Sequence, residues 1–149
     1  MPEQEERKKS GVSREYANDA ITVFWDAKYC IHTAACINGL PGVFDPQARP
    51  WIDISQAAAD DIAEVVMRCP TGALHFRRND GGPEEVGSEQ ITVQPRKNGP
   101  LFARGKIEVV DVQGNLVRDD TRVAFCRCGQ SSNKPFCDGT HRAIGFQAD

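Results

Sequence analysis

Residues 126–141 read Cys126-Arg127-Cys128-Gly129-Gln130-Ser131-Ser132-Asn133-Lys134-Pro135-Phe136-Cys137-Asp138-Gly139-Thr140-His141. Three thiols and one imidazole fall in this single short run. Cys126 and Cys128 are two apart at the end of the extended stretch Arg122 to Phe125, so in a strand both side chains leave the same face. Cys137 and His141 are four apart, and a helical turn beginning near Asp138 would stack them on one face. Two converging pairs make a four-ligand site. Soft thiolates and imidazole suit zinc or an iron–sulfur cluster, and the spacing by itself admits both.

The same residues carry a resemblance. The Cys-x-Cys pair, Ser131, Pro135, Cys137-Asp138-Gly139 and His141 are similar to the iron–sulfur signature of the CDGSH (mitoNEET-like) family, with Thr140 standing where the family's name has Ser. With the lead-in Gly99-Pro100-Leu101, the likeness covers roughly the last 60 residues. It implies a [2Fe–2S] cluster ligated by Cys126, Cys128, Cys137 and His141. It also implies that Ser131, Pro135, Asp138, Gly139 and Thr140 support the cluster turn. A single copy of the segment permits the homodimer that mitoNEET-type members form.

A second thiol set lies upstream. Bacterial ferredoxins space thiolates as Cys-x₂-Cys-x₂-Cys with a later Cys-Pro. Cys30, Thr33 and Cys36 keep that frame with the middle thiol replaced, and Cys69-Pro70 supplies the distant pair. Residues 14–78 resemble the divergent single-cluster ferredoxin domains, most characteristically at Cys69-Pro70-Thr71-Gly72-Ala73-Leu74. Three thiolates complete a [3Fe–4S] cluster, whereas a [4Fe–4S] cluster leaves one iron to water, Thr33 or His32. Cysteines buried as small hydrophobes are the plainer alternative.

The fold expected is α+β: a small ferredoxin-like α+β unit followed by a small β-rich CDGSH-type cluster-binding domain. The expected boundaries are a disordered tail at 1–13, a first domain at 14–80, a linker at 81–90 and a second domain at 91–149. Strands are expected at Ala20 to Trp25, Ala73 to Phe76, Ile91 to Val93 and from Leu101. A helix is expected over Gln56 to Arg68 with Ser55 as its cap, delivering Cys69. Turn residues dominate Arg77 to Gln90.

Composition narrows the function. The chain has 149 residues, 40% hydrophobic and 26% charged, with a formal net charge of −3. That balance argues against a nucleic-acid binder. Met1 to Lys9 is charged and lacks an apolar h-region, and no apolar run reaches membrane-spanning length, so a cytoplasmic location and no membrane partner are expected. In a reducing compartment six cysteines read as ligands rather than disulfides. No Ser/His/Asp arrangement, phosphate-cradling loop or carboxylate pair supports an enzyme.

The leading expectation is therefore one-electron transfer between two clusters or to redox partner proteins, with proton-coupled redox at the histidine-ligated centre. Cluster storage, delivery or redox sensing is the second reading, and a zinc-stabilised interaction module the third. Trp25 and Trp51 read as packing, and Arg127, Lys134 and Arg142 as a solvated basic rim.

Overall fold

The computed structural model describes residues 13–149. Apart from Ser13, the expected tail lies outside them. Two three-stranded antiparallel sheets carry the chain, with short helices inserted before the last strand of the first and after the second, a small mixed α+β arrangement.

In the first sheet β1 (Ser13–Ala17) pairs with β2 (Ile21–Asp26), which pairs in turn with β3 (Leu74–Arg78). β2 is rich in β-branched and aromatic side chains and is buried along most of its length, as a central strand requires. β1 is a polar edge strand that the hydrophobic pattern did not announce; β2 defines it by pairing. Between β2 and β3 run α1 (Ala35–Gly39) and α2 (Ala59–Met67). Ile62, Ala63, Val65 and Val66 of α2 bury against Ile21, Val23, Leu74 and Phe76 of the sheet.

The α2 start differs from the sequence expectation. Asp53, not Ser55, is the capping residue: its carboxylate accepts from the Ser55 amide at 3.1 Å and the Ser55 hydroxyl at 2.5 Å. That caps a single 3₁₀ turn, Ile54–Gln56, and the helix opens three residues later, at Ala59.

The second sheet is a meander of β4 (Thr92–Pro95), β5 (Leu101–Val110) and β6 (Leu116–Phe125), closed by α3 (Thr140–Ala143). β5 alternates buried and exposed residues, with Ala103, Ile107 and Val109 inward. β6 turns charged residues inward: Arg118, Asp120 and Arg122 are all buried. Their partners lie in the first half.

Arg122 is fully buried. One guanidinium nitrogen donates to the carbonyls of Val66 at 2.6 Å and Cys69 at 2.9 Å, and the other to the Leu74 carbonyl at 2.6 Å and Glu85 at 2.7 Å. Arg118 donates to the Thr71 carbonyl at 2.8 Å and to Asp120 at 2.6 Å, while its guanidinium stacks 3.7 Å from the Tyr29 ring centroid. His75 joins the same network through Glu85 at 2.7 Å and Asp120 at 3.1 Å. The chain between the sheets is therefore anchored: Glu85 is buried, and the Ser88 carbonyl accepts from Lys106 at 2.9 Å. A mixed apolar cluster continues the contact, with Tyr29 and Ala73 of the first half against Ala103, Ile107, Val123 and Phe136 of the second.

Candidate metal centres

The C-terminal thiols are brought together by backbone pairing. An antiparallel bridge joins Phe125 to Phe136, with Cys126 N donating to Pro135 O and Cys137 N to Ala124 O, both at 2.8 Å. This lays the Cys137 segment beside the end of β6. Cys126 Sγ and Cys128 Sγ are 3.8 Å apart, and Cys137 Sγ is 3.4 Å from His141 Nδ1. Cys126 and Cys128 lie just past the strand rather than in it. The helical turn starts at Thr140, so Cys137 reaches His141 from outside the helix.

The supporting residues hold this loop by ordinary turn bonds. Asp138 accepts from the Ser132 amide at 2.8 Å, the Thr140 amide at 3.0 Å and the Thr140 hydroxyl at 2.5 Å. Ser131 spends its hydroxyl on the Phe136 carbonyl at 2.6 Å. The donors to sulfur are backbone: Gln130 N to Cys128 at 3.5 Å and Gly139 N to Cys137 at 3.4 Å. Gly139, at φ +87°, supplies the left-handed turn into α3. Arg127 is no solvated rim residue: it ties Gly99, Arg96 and the Asp149 carbonyl to the loop.

Electrostatics favour the metal-ready form at one donor of each pair. Burial resists ionisation of Cys126, but the amides of Ser131 and Gly129 and the neighbouring Cys128 outweigh it and hold the thiol below its usual range. Burial, then the charges of Arg142 and Arg96, hold the His141 imidazole below its usual range, in the neutral form that binds metal. Burial pushes Cys137 up, which a bound cation reverses.

Upstream, Cys30, Cys36 and Cys69 are free, half-buried, and line one cavity of about 510 Å³. Cys30 closes the 3₁₀ turn after β2, Cys36 rides on α1, and Cys69 follows α2, where Arg122 holds its carbonyl. The loop from Cys30 to Cys36 puts His32 and Ala34 at φ +59° and +63°, a cost of about 1–2 kcal/mol each that the surrounding fold sustains. Burial, then the negative charge of Cys69 and of Cys30, push Cys36 up to about 11. His32 Nδ1 lies 3.8 Å from Cys30 Sγ, while the Thr33 hydroxyl accepts from the Ala35 amide at 3.5 Å.

The donor spacing bears on what these sites hold. Around one tetrahedral zinc, thiolates about 2.3 Å from the metal lie about 3.8 Å from one another. Among the described residues, the one group of three or more His, Cys, Asp or Glu whose ligand atoms all fall within 4.8 Å of each other is His75, Glu85 and Asp120. Both of those carboxylates are already taken by arginines, and both ring nitrogens of His75 by the carboxylates. The thiol sets are wider. The C-terminal site consists of two tight pairs set apart, which fits a group with more than one metal ion.

Comparison with known families agrees with the two sites. A family model described as "Divergent 4Fe-4S mono-cluster" matches residues 16–79, and one described as "Iron-binding zinc finger CDGSH type" matches residues 98–142. The protein YjdI of Escherichia coli strain K12, and that of Escherichia coli O157:H7, are each 30% identical over 67 residues, covering 45% of this chain and 88% of the relative. The chain belongs to the divergent 4Fe-4S mono-cluster family, joined to a CDGSH domain. It is an iron–sulfur protein.

The four donors that the sequence signature named are brought to one end of β6, Cys126 and Cys128 just past the strand, Cys137 ahead of α3 and His141 within it. The buried network of His75, Glu85, Arg118, Asp120 and Arg122 was not foreseen. Its one signal in the sequence is the period-two spacing of Arg118, Asp120 and Arg122 on a strand. No helix is long and apolar enough to cross a membrane among the described residues.

Proposed function

We propose that this protein is a one-electron carrier with two centres. Cys126, Cys128, Cys137 and His141 hold a [2Fe–2S] cluster, and Cys30, Cys36 and Cys69 hold a [3Fe–4S] or [4Fe–4S] cluster, with His32 the nearest spare donor for a fourth iron. When bound, the clusters supply reversible single-electron storage. The residues around them hold the ligands, exclude water and join the two sites.

The observation that carries the reading is the bridge at Ile31. Ile31 directly follows Cys30, and its buried side chain packs on Cys137 and Ala124. Its carbonyl accepts a hydrogen bond from Arg142, the residue after His141. One residue thus touches both ligand sets, giving a short covalent and hydrogen-bonded path between them. This use of the interior supports the carrier reading, with redox proteins as the proposed partners. Neutral imidazole in place of a thiolate removes one negative charge from the ligand set and favours the reduced form. An imidazole that binds metal through one nitrogen keeps a second ring nitrogen that can take up a proton, so reduction and protonation are coupled at that centre.

His141→Cys tests this assignment. It is expected to lower the midpoint potential of the CDGSH centre and to make cluster retention less acid-sensitive. Redox titration and acid-release kinetics with both properties unchanged contradict the role given to His141. The specific feature favouring the delivery reading is the missing thiol between Cys30 and Cys36. Incubation with an apo-ferredoxin separates the two: retention through repeated redox cycles supports the carrier, fast stoichiometric transfer supports delivery.

A further inference from the structure

The chain has two tryptophans, and the indole N–H of each is buried without a hydrogen bond. Among the described residues these are the only buried side-chain polar atoms so left. An unpaired buried donor costs about 1–3 kcal/mol, so two at one place require an acceptor. They do share a place. The rings meet edge to face with centroids 5.0 Å apart, and both line the cavity that contains Cys30, Cys36 and Cys69. Trp25 is set there by strand register, opposite Leu74, and Trp51 is braced by Phe44 at 5.9 Å.

Thr33 and Thr71 in this cavity already accept from the Ala35 and Ala73 amides, and the Tyr16 hydroxyl that also lines it meets neither indole N–H. The three sulfurs are the acceptors that strengthen when ionised. A neutral thiol accepts weakly, whereas an anionic sulfur draws a short, strong bond.

We infer that Trp25 and Trp51 are side-chain hydrogen-bond donors to the sulfurs of the group that Cys30, Cys36 and Cys69 hold. They are positioning residues that set its potential. Reduction adds negative charge that spreads onto sulfur, so a donor aimed there binds the reduced form more strongly and raises the midpoint. The inference rests on the proposed iron–sulfur ligation of Cys30, Cys36 and Cys69.

Redox titration followed by electron paramagnetic resonance tests it on the anaerobically purified full chain. Trp25→Phe and Trp51→Phe are each expected to make one-electron reduction of the first centre about tenfold less favourable, a midpoint about 59 mV lower. The CDGSH midpoint stays where it is. A loaded variant whose first-centre midpoint does not move, or moves together with the CDGSH one, overturns the inference. Uniform 5-fluorotryptophan labelling keeps the ring shape and strengthens the N–H donor, and it decides the matter if the Phe variants fail to load. Both tryptophans of the chain lie in this cavity, so the label reports on it alone: a raised first-centre midpoint supports the inference, and an unchanged or lowered one overturns it. Absence of inorganic sulfide at the first site of the unmodified protein would sink the ligation reading instead, a result distinguishable from an unmoved midpoint in a sulfide-loaded variant.

Discussion

Gly72 sits where the two halves approach closely. It sits at φ +72° between Cys69-Pro70 and β3, and a Cβ there would lie 2.4 Å from the Arg122 carbonyl oxygen, 2.5 Å from Arg118 Nη2 and 2.6 Å from Asp120 Oδ2. Neither the backbone nor the buried guanidinium can yield cheaply. Gly72→Ala is expected to cost about 3 kcal/mol or more, from positive-φ strain plus overpacking. Gly114→Ala is the control: also at positive φ, +87°, but facing open space, it costs only about 1 kcal/mol. Denaturant unfolding of both variants checks this, and equal losses contradict the close approach. At this scale the sequence was informative where partners are neighbours. Cys137, Asp138, Thr140 and His141 satisfy one another within a few residues. Trp25 and Trp51 read as packing because pattern reveals burial but not whether an N–H has a partner.

The element that organises the molecule is β6. Its inner face carries Arg118, Asp120 and Arg122, and its end carries Cys126, so the strand that presents the CDGSH thiols also caps α2 and holds the Cys69 carbonyl. Burial opposes ionisation of Asp120, but His75, Arg118 and Arg122 more than offset it and hold the carboxylate well below its usual range. A depressed folded-state pKa gives stability that is fully present above the unfolded value of about 3.9 and is lost as pH falls toward the folded one. Unfolding free energy is therefore expected to decline below about pH 4 through this group. Asp120→Asn should be about 3–5 kcal/mol less stable near neutrality, since it leaves buried arginine charge uncompensated. It should also lack that part of the acid decline; a variant with the wild-type slope contradicts the assignment. None of this was legible beforehand. Period-two spacing puts Arg118, Asp120 and Arg122 on one strand face, but their partners His75 and Glu85 lie more than thirty positions away in sequence. Asp53 likewise displaced Ser55 as a cap because a serine hydroxyl can donate to a carboxylate as readily as accept from an amide.

At the scale of the whole molecule, two sheets share an interior, and the two candidate ligand sets approach each other across Ile31. Sequence conveyed the order of the two units, because the run Cys126 to His141 is local and the frame of Cys30, Cys36 and Cys69-Pro70 is recognisable by its spacing. It did not convey that residues 81–90, rich in turn formers, are pinned by the buried Glu85, because a loop's composition says nothing of one anchored side chain. The bridge makes a further expectation: Arg142→Leu keeps iron and sulfide at both centres but slows electron passage between them, as read by freeze-quench paramagnetic resonance after partial reduction. An unchanged rate removes the Arg142 bond from the path.

The most direct test is elemental analysis of the full chain purified without oxygen, for iron, inorganic sulfide and zinc, combined with electron paramagnetic resonance in both redox states. Two distinguishable iron–sulfur centres with stoichiometric sulfide are predicted. Protein that carries zinc in place of iron and yields no sulfide contradicts the account.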